Sequence, residues 1–142
     1  MSIWRDLKTL HELNSQPNTL NSHLDIKIIE IGADFLRGTM PVDARTVQPY
    51  GLLHGGASVA LAETLGSTAA SMCVDPGYNV VGQEINANHV RSARGGLVTG
   101  TTRPAHIGAR THVLTIEIVD AAVKLVCISR LTIAVIKRGV LS

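Results

Sequence analysis

Two adjoining stretches of this sequence carry residues able to do acyl chemistry. The first is a polar turn, Gln48, Pro49, Tyr50, Gly51, Leu52, Leu53, His54, Gly55 and Gly56. The second is the apolar run of residues 57–73, whose one charged residue is Glu63. An unpaired carboxylate inside an apolar helix is costly, so Glu63 asks for a reason. Apolar walls favour the protonated form of a carboxylic acid and so strengthen its carboxylate as a general base. A carboxylate can also attack an acyl carbon directly. Thr64 is next to it and Ser67 lies four residues on, so hydroxyls cluster beside the carboxylate. Gly55 and Gly56 would bare the backbone N–H groups of a helix start, where negative charge on an oxygen is favoured. Gln48 and His54 can add side-chain hydrogen bonds. Each feature also has a plain structural reading: Glu63 facing solvent at a gap in a sheet, and His54-Gly55-Gly56 as a tight loop.

Spacing separates these groups. Gly55 and Glu63 are eight positions apart, about 12 Å along a helix. One carbonyl cannot be within hydrogen-bonding reach of both in the same chain. If both act on one substrate, they come from different protomers. This predicts a homodimer with composite sites, related by a two-fold axis.

A third group is basic. His89 and Arg91 are two apart and would share a strand face. Arg94, Arg103 and Arg110 fall near turns, with His106 and Thr111 beside the last of them. Arginine forks suit phosphate, so these residues read either as a clamp for a phosphorylated carrier or as solvated surface. The chain has no nucleophile elbow, P-loop, dinucleotide fingerprint or metal-ligand spacing. His11 and His23 read as structural, and His112 lies in a strand and could face either way.

The elements that must position these residues are mostly β. Residues 7–22 read as short helical turns that lid the core, with Thr9 and Glu12 as a capping pair and Pro17 as a break. Residues 24–31 and 35–40 form a hairpin signal. A helix should start near Gly56 and stop before Asp75-Pro76-Gly77. Being apolar on every side, it should be buried all round. Strands are expected over residues 78–91, 97–106, 110–119 and 123–136, with a turn at residues 120–122 whose geometry the sequence leaves open. Residues 137–142 read as a frayed tail. The pattern is α+β: an antiparallel sheet curled around one apolar helix.

Length and composition agree with a single domain over residues 1–142. The hydrophobic fraction is 45% and the charged fraction 17%, so some surface should be covered by another copy. A net charge of +2 and 3% aromatics argue against nucleic acid. No run is long enough to span a bilayer. Cys73 and Cys127 sit in apolar runs without pairing signals, which suits buried thiols in the cytoplasm.

The stretch from Gln48 through His54, Gly55, Gly56 and Glu63 to Ser67 resembles the core motif of the hotdog-fold acyl-CoA thioesterases with a catalytic Glu on the central helix. These form the phenylacetate-pathway-like branch of the 4-hydroxybenzoyl-CoA thioesterase superfamily. The resemblance covers residues 4–136. Residues 85–94 resemble most the aromatic acyl-CoA hydrolases of menaquinone biosynthesis, and the Glu63 motif equally suits proofreading thioesterases that clear aryl carrier proteins. The resemblance implies a curved sheet around one helix and hydrolysis of an aromatic acyl-CoA. It implies Glu63 as nucleophile or base, Gly55 N–H polarising the carbonyl, and His54 and Gln48 at the carbonyl and leaving-group side. Ser67 and Thr64 would orient water or the carboxylate. Gly82, His89, Val90, Arg91, Ser92, His106, Ile107, Gly108, Ala109, Arg110 and Thr111 would contact substrate and the CoA nucleotide. It implies a homotetramer built from dimers, with no metal and no cofactor beyond the CoA of the substrate. A non-catalytic acyl-CoA-binding module on the same fold is the bland alternative. The turn Asp120, Ala121, Ala122, Val123, Lys124 departs from the Gly-containing turn of the family.

Overall fold

The computed structural model describes residues 1–140. Six strands form one antiparallel sheet: β1 Lys27–Ile31, β2 Leu36–Pro41, β3 Tyr78–His89, β4 Leu97–Ile107, β5 Thr111–Val119 and β6 Leu125–Lys137. Their spatial order is β1-β2-β4-β5-β6-β3. Two short helices, α1 Leu10–Asn14 and α2 Leu20–His23, precede the sheet, and α3 Gly55–Met72 packs on its concave face. The arrangement is the α+β one expected.

Alternation builds the inner face of the sheet. Leu36 and Met40 of β2, Val98 of β4, Leu114, Ile116 and Ile118 of β5, and Leu131 and Ile133 of β6 are fully buried. Within a strand these residues are two or four apart, which turns them to one face. Against them α3 lays Leu61, Leu65, Ala69 and Met72. Gly38 and Gly100 pair across β2 and β4. A Cβ at either would lie under 3 Å from a Leu65 methyl (2.7 and 2.6 Å). Their missing side chains let the helix sit down on the sheet.

The helix is not buried all round. Ser58, Leu61, Ala62, Leu65, Gly66, Ala69, Ala70 and Met72 are buried, while Val59, Ala60, Glu63, Thr64, Ser67 and Thr68 are half-exposed. Small residues on both faces hide this asymmetry from a hydropathy reading.

Several boundaries move for local reasons. β1 starts at Lys27, not at residue 24, because Asp25 takes a left-handed φ of 54° and the Ile26 amide bonds back to Asn21. β3 ends at His89, and the Val90 and Arg91 amides both turn to the Val126 carbonyl. Arg91 therefore lies past the strand and does not share a face with His89. β6 begins at Leu125 because Val123 is in the left-handed region, at φ 61°. The intervening turn is organised by Asp120, whose carboxylate accepts from the Ala122 and Lys124 amides at 2.9 Å each. Lys137 pairs with Tyr78 and the Arg138 amide donates to Gly77, so backbone pairing enters the segment expected as a tail. Leu141 and Ser142 of that segment lie outside the described residues.

The lid is capped twice. Thr9 accepts from the Glu12 amide while Glu12 accepts from the Thr9 amide, and Thr19 and Ser22 repeat the exchange. Asn14 exchanges two 2.8 Å bonds with Ile28, one to its carbonyl and one from its amide, which ties α1 to the outer edge of β1.

Candidate active site

The turn before α3 is locked by its own backbone. The Gln48 amide bonds to Leu52, the Gly51 amide to Gln48, and the His54 amide to Thr46, each at 2.8 Å. Gly51 takes φ 76°, which suits glycine. The Gln48 side-chain oxygen accepts from the Tyr50 amide. His54 caps α3: its Nδ1 accepts from the Gly56 amide at 2.8 Å. An accepting Nδ1 carries no proton, so Nε2 bears the hydrogen and faces outward as a donor. The Gly55 amide has no hydrogen-bond partner among the described residues. A free donor at a helix start is suited to an oxyanion. The His89 ring, at the end of β3, lies against Gly55, and a Cβ there would be 2.8 Å from Nε2.

Glu63, Thr64 and Ser67 lie about two turns further along, on the half-exposed face of α3. With Leu20, Asn21 and Ala60 they line a cleft of about 310 Å³ under the lid. The Glu63 carboxylate has no hydrogen bond or ion pair among the described residues. It rests against Gly82, at the bulge between Gly82 and Glu84 in β3. Thr64 does not hold Glu63. Its hydroxyl donates to Asn21 of the lid at 2.9 Å. The sequence singled out none of Leu20, Ala60, Thr68 and Asn21 of the cleft lining, and of these four it is Asn21 that bonds to a candidate site residue. It sits in a polar segment, and nothing in its spacing signals a tie to α3.

The remaining basic residues fall elsewhere. His106, Ile107, Gly108, Ala109, Arg110 and Thr111 form the end of β4, the β4–β5 turn and the start of β5, closed by a 3.0 Å bond from the Gly108 amide to Thr111. Ile107, Gly108 and Ala109 border a cavity of about 270 Å³ with Arg5, Cys73 and His112. His89 is opposite Cys127 on β6, whereas Thr111 is opposite Ala134. Seven residues of strand, roughly 23 Å, separate the two positions. One chain therefore does not gather the His89, Val90, Arg91, Ser92 segment and the β4–β5 turn at one point. Arg91, Arg94 and Arg110 have no acidic partner among the described residues. Arg103 does: it pairs with Asp34 at 2.7 Å and lies 4.7 Å over the Phe35 ring, so it is not free for phosphate.

His112 faces inward and is buried, and its Nδ1 has no hydrogen-bond partner among the described residues. Burial pushes its pKa down, with His106 and Arg5 adding to the effect against the Gly108 backbone. Burial pushes the Cys73 thiol up to about 11 and raises that of Cys127. Neither thiol is poised as a nucleophile. No helix among the described residues is long and apolar enough to cross a membrane.

A curved antiparallel sheet wrapped on one helix is the hotdog arrangement. Residues 50–127 match the family model described as the thioesterase superfamily, and the chain belongs to that family. It is 53% identical over 135 residues to the 1,4-dihydroxy-2-naphthoyl-CoA hydrolase of Escherichia coli, covering 94% of this chain and 99% of that one. It is 48% identical over 134 residues to the proofreading thioesterase EntH of Cronobacter turicensis, covering 94% and 98%. Among solved structures, a Haemophilus influenzae thioesterase superposes with a TM-score of 0.93 at 49% identity, covering 95% of each chain. A mutant thioesterase from Pseudomonas aeruginosa gives 0.94 at 48%, covering 96% and 99%. The chain is a thioesterase.

Proposed function

We propose that this thioesterase hydrolyses an aromatic acyl-CoA in the cytoplasm, 1,4-dihydroxy-2-naphthoyl-CoA being the first candidate. The observation that carries the substrate is the 53% identity to the Escherichia coli hydrolase over nearly the whole of both chains. The chemistry is supported by the unpaired Glu63 and the free Gly55 amide. Glu63 acts as base, taking a proton from the water that attacks the thioester carbonyl, or attacks it directly. The Gly55 amide receives the developing oxyanion. His54 donates through Nε2, and Gln48 supplies its side-chain amide beside it. A thiolate of pKa about 8.5 leaves without a strong acid, so no metal or redox cofactor enters the scheme.

The site is shared between protomers. Gly55 and Glu63 are two helical turns apart in one chain. Among the described residues β3 pairs only with β6 and so presents an open edge, next to the half-exposed face of α3. A two-fold pairing through that edge would bring Glu63 of one chain to Gly55 of the other, and dimers of this kind would assemble into a tetramer. The same pairing would turn the Tyr78 end of β3, beside the β4–β5 turn, toward the partner's His89 end. His89, Val90, Arg91 and Ser92 of one chain and His106, Ile107, Gly108, Ala109, Arg110 and Thr111 of the other could then serve one CoA, with the unpaired Arg91 and Arg110 on its phosphates.

The 48% identity to EntH supports a second reading, release of misloaded acyl groups from an aryl carrier protein. Steady-state kinetics on both substrate kinds decides. A far higher kcat/KM on acylated carrier than on any free acyl-CoA would select the second reading. Glu63→Gln should lower kcat by about 10²–10⁴-fold. An unchanged hydrolysis rate in Glu63→Gln would rule out this role for Glu63.

A further inference from the structure

We infer that Asn21 of the lid is a positioning residue that sets acyl specificity through Thr64. The inference rests on the aromatic acyl-CoA reading above and deepens it. A threonine hydroxyl has one proton and two lone pairs. In this chain the Thr64 proton is spent on the Asn21 side-chain oxygen, at 2.9 Å. Asn21 is itself held from both sides. Its side-chain amide donates to Gln16 at 3.2 Å, and its backbone carbonyl accepts from the Ile26 amide at 2.9 Å. The Asn21 carbonyl oxygen therefore has a fixed place, and it fixes the Thr64 rotor. What Thr64 then offers the cleft is lone pairs.

Thr64 is adjacent to Glu63, and both line the cleft with Leu20, Ala60 and Ser67. An acyl group seated there meets an acceptor beside the carboxylate. A hydroxyl on the acyl group satisfies that acceptor. An unsubstituted ring leaves it dry and unpaired, which costs transition-state binding. The lid thus makes the cleft read a hydroxylated acyl group rather than cover it passively. Without Asn21 the Thr64 hydroxyl can rotate and meet either kind of group, so selectivity falls.

The test compares kcat/KM for 2-, 3- and 4-hydroxybenzoyl-CoA with that for benzoyl-CoA. Asn21→Leu should lower the best hydroxybenzoyl-to-benzoyl ratio about fivefold. Asn21→Asp, which can only accept, should keep it. In a Thr64→Val background, Asn21→Leu should leave the ratio unchanged, since the coupling partner is gone. A merely structural role of the lid would move both substrates together. An unchanged ratio in Asn21→Leu, or an equal loss in Asn21→Asp, overturns this inference and leaves the aromatic acyl-CoA reading standing. A wild-type enzyme that cleaves none of the four esters, while cleaving an aliphatic acyl-CoA or acylated carrier protein, overturns that reading and this inference with it.

Discussion

The Glu63 carboxylate occupies the space that a side chain at Gly82 would need. The contact joins the third turn of α3 to the bulge in β3. Gly82 is exposed on its other side, so the chain has no packing reason to leave it bare. Gly82→Ala should displace the carboxylate and lower kcat about 100-fold, as an ångström of misplacement does in other sites. The fold should keep its stability within about 1 kcal/mol, since alanine suits an edge strand at least as well as glycine. Steady-state kinetics beside a thermal melt checks both halves. Full activity in Gly82→Ala would mean that the observed seat of Glu63 is not its working position.

A composite site makes a complementation test possible. Glu63→Ala removes the carboxylate, and Gly55→Pro removes the N–H at the first helical position, where the helix backbone accepts proline while the His89 ring must shift to make room. Each homodimer should be inactive. In a heterodimer, one of the two sites joins the intact Glu63 to the intact Gly55. Random mixing should then restore about a quarter of wild-type activity, because half the dimers are mixed and each has one good site. No recovery, with mixing proven by mass spectrometry of the dimers, would overturn the composite site.

The residues that report this chemistry were legible where local rules suffice. The Gly55–Met72 helix is bounded by a His-Gly-Gly start and an Asp-Pro-Gly stop, β5 alternates cleanly, and β4 alternates over residues 97–102. What escaped was set by long-range or single-residue geometry. The half-exposure of α3 is invisible because Ala, Ser and Gly populate both faces. The late start of β1 depends on one left-handed residue, Asp25, which is not a glycine. The loss of Arg103 to Asp34, and the tie of Thr64 to Asn21, join positions 69 and 43 residues apart. No periodicity encodes such pairs.

His112 predicts a pH effect on stability. It is buried with an unpartnered Nδ1, and desolvation lowers its pKa in the folded chain. The unfolded chain, with a pKa near 6.5, then binds the proton more readily. Stability should be complete above about pH 6.5 and fall as pH drops toward the folded value, levelling off below it. His112→Gln cannot take up a proton and should lose this component. Urea midpoints between pH 5 and 8 for both proteins measure it. Equal pH slopes would mean that His112 finds a partner for its charged form.

The β5–β6 turn carries a β-branched residue where the backbone favours glycine. Val123 sits at φ 61° and is largely exposed, at 78% of its full surface. Its side chain therefore gains little from packing while its backbone bears left-handed strain. The turn does not depend on that side chain. The Asp120 carboxylate holds the Ala122 and Lys124 amides, and the Asp120 amide bonds to the Lys124 carbonyl at 2.9 Å. Val123→Gly should relieve about 1–2 kcal/mol of strain and give back part of it as unfolded-chain entropy. A net gain of about 1 kcal/mol is expected, which for a domain of this size raises Tm by a few degrees. Asp120→Ala should act in the opposite direction, because it strands two amide donors at once. Thermal melts of the two variants decide: a lower Tm in Val123→Gly would show that the valine side chain contributes more by contact than its backbone loses in strain.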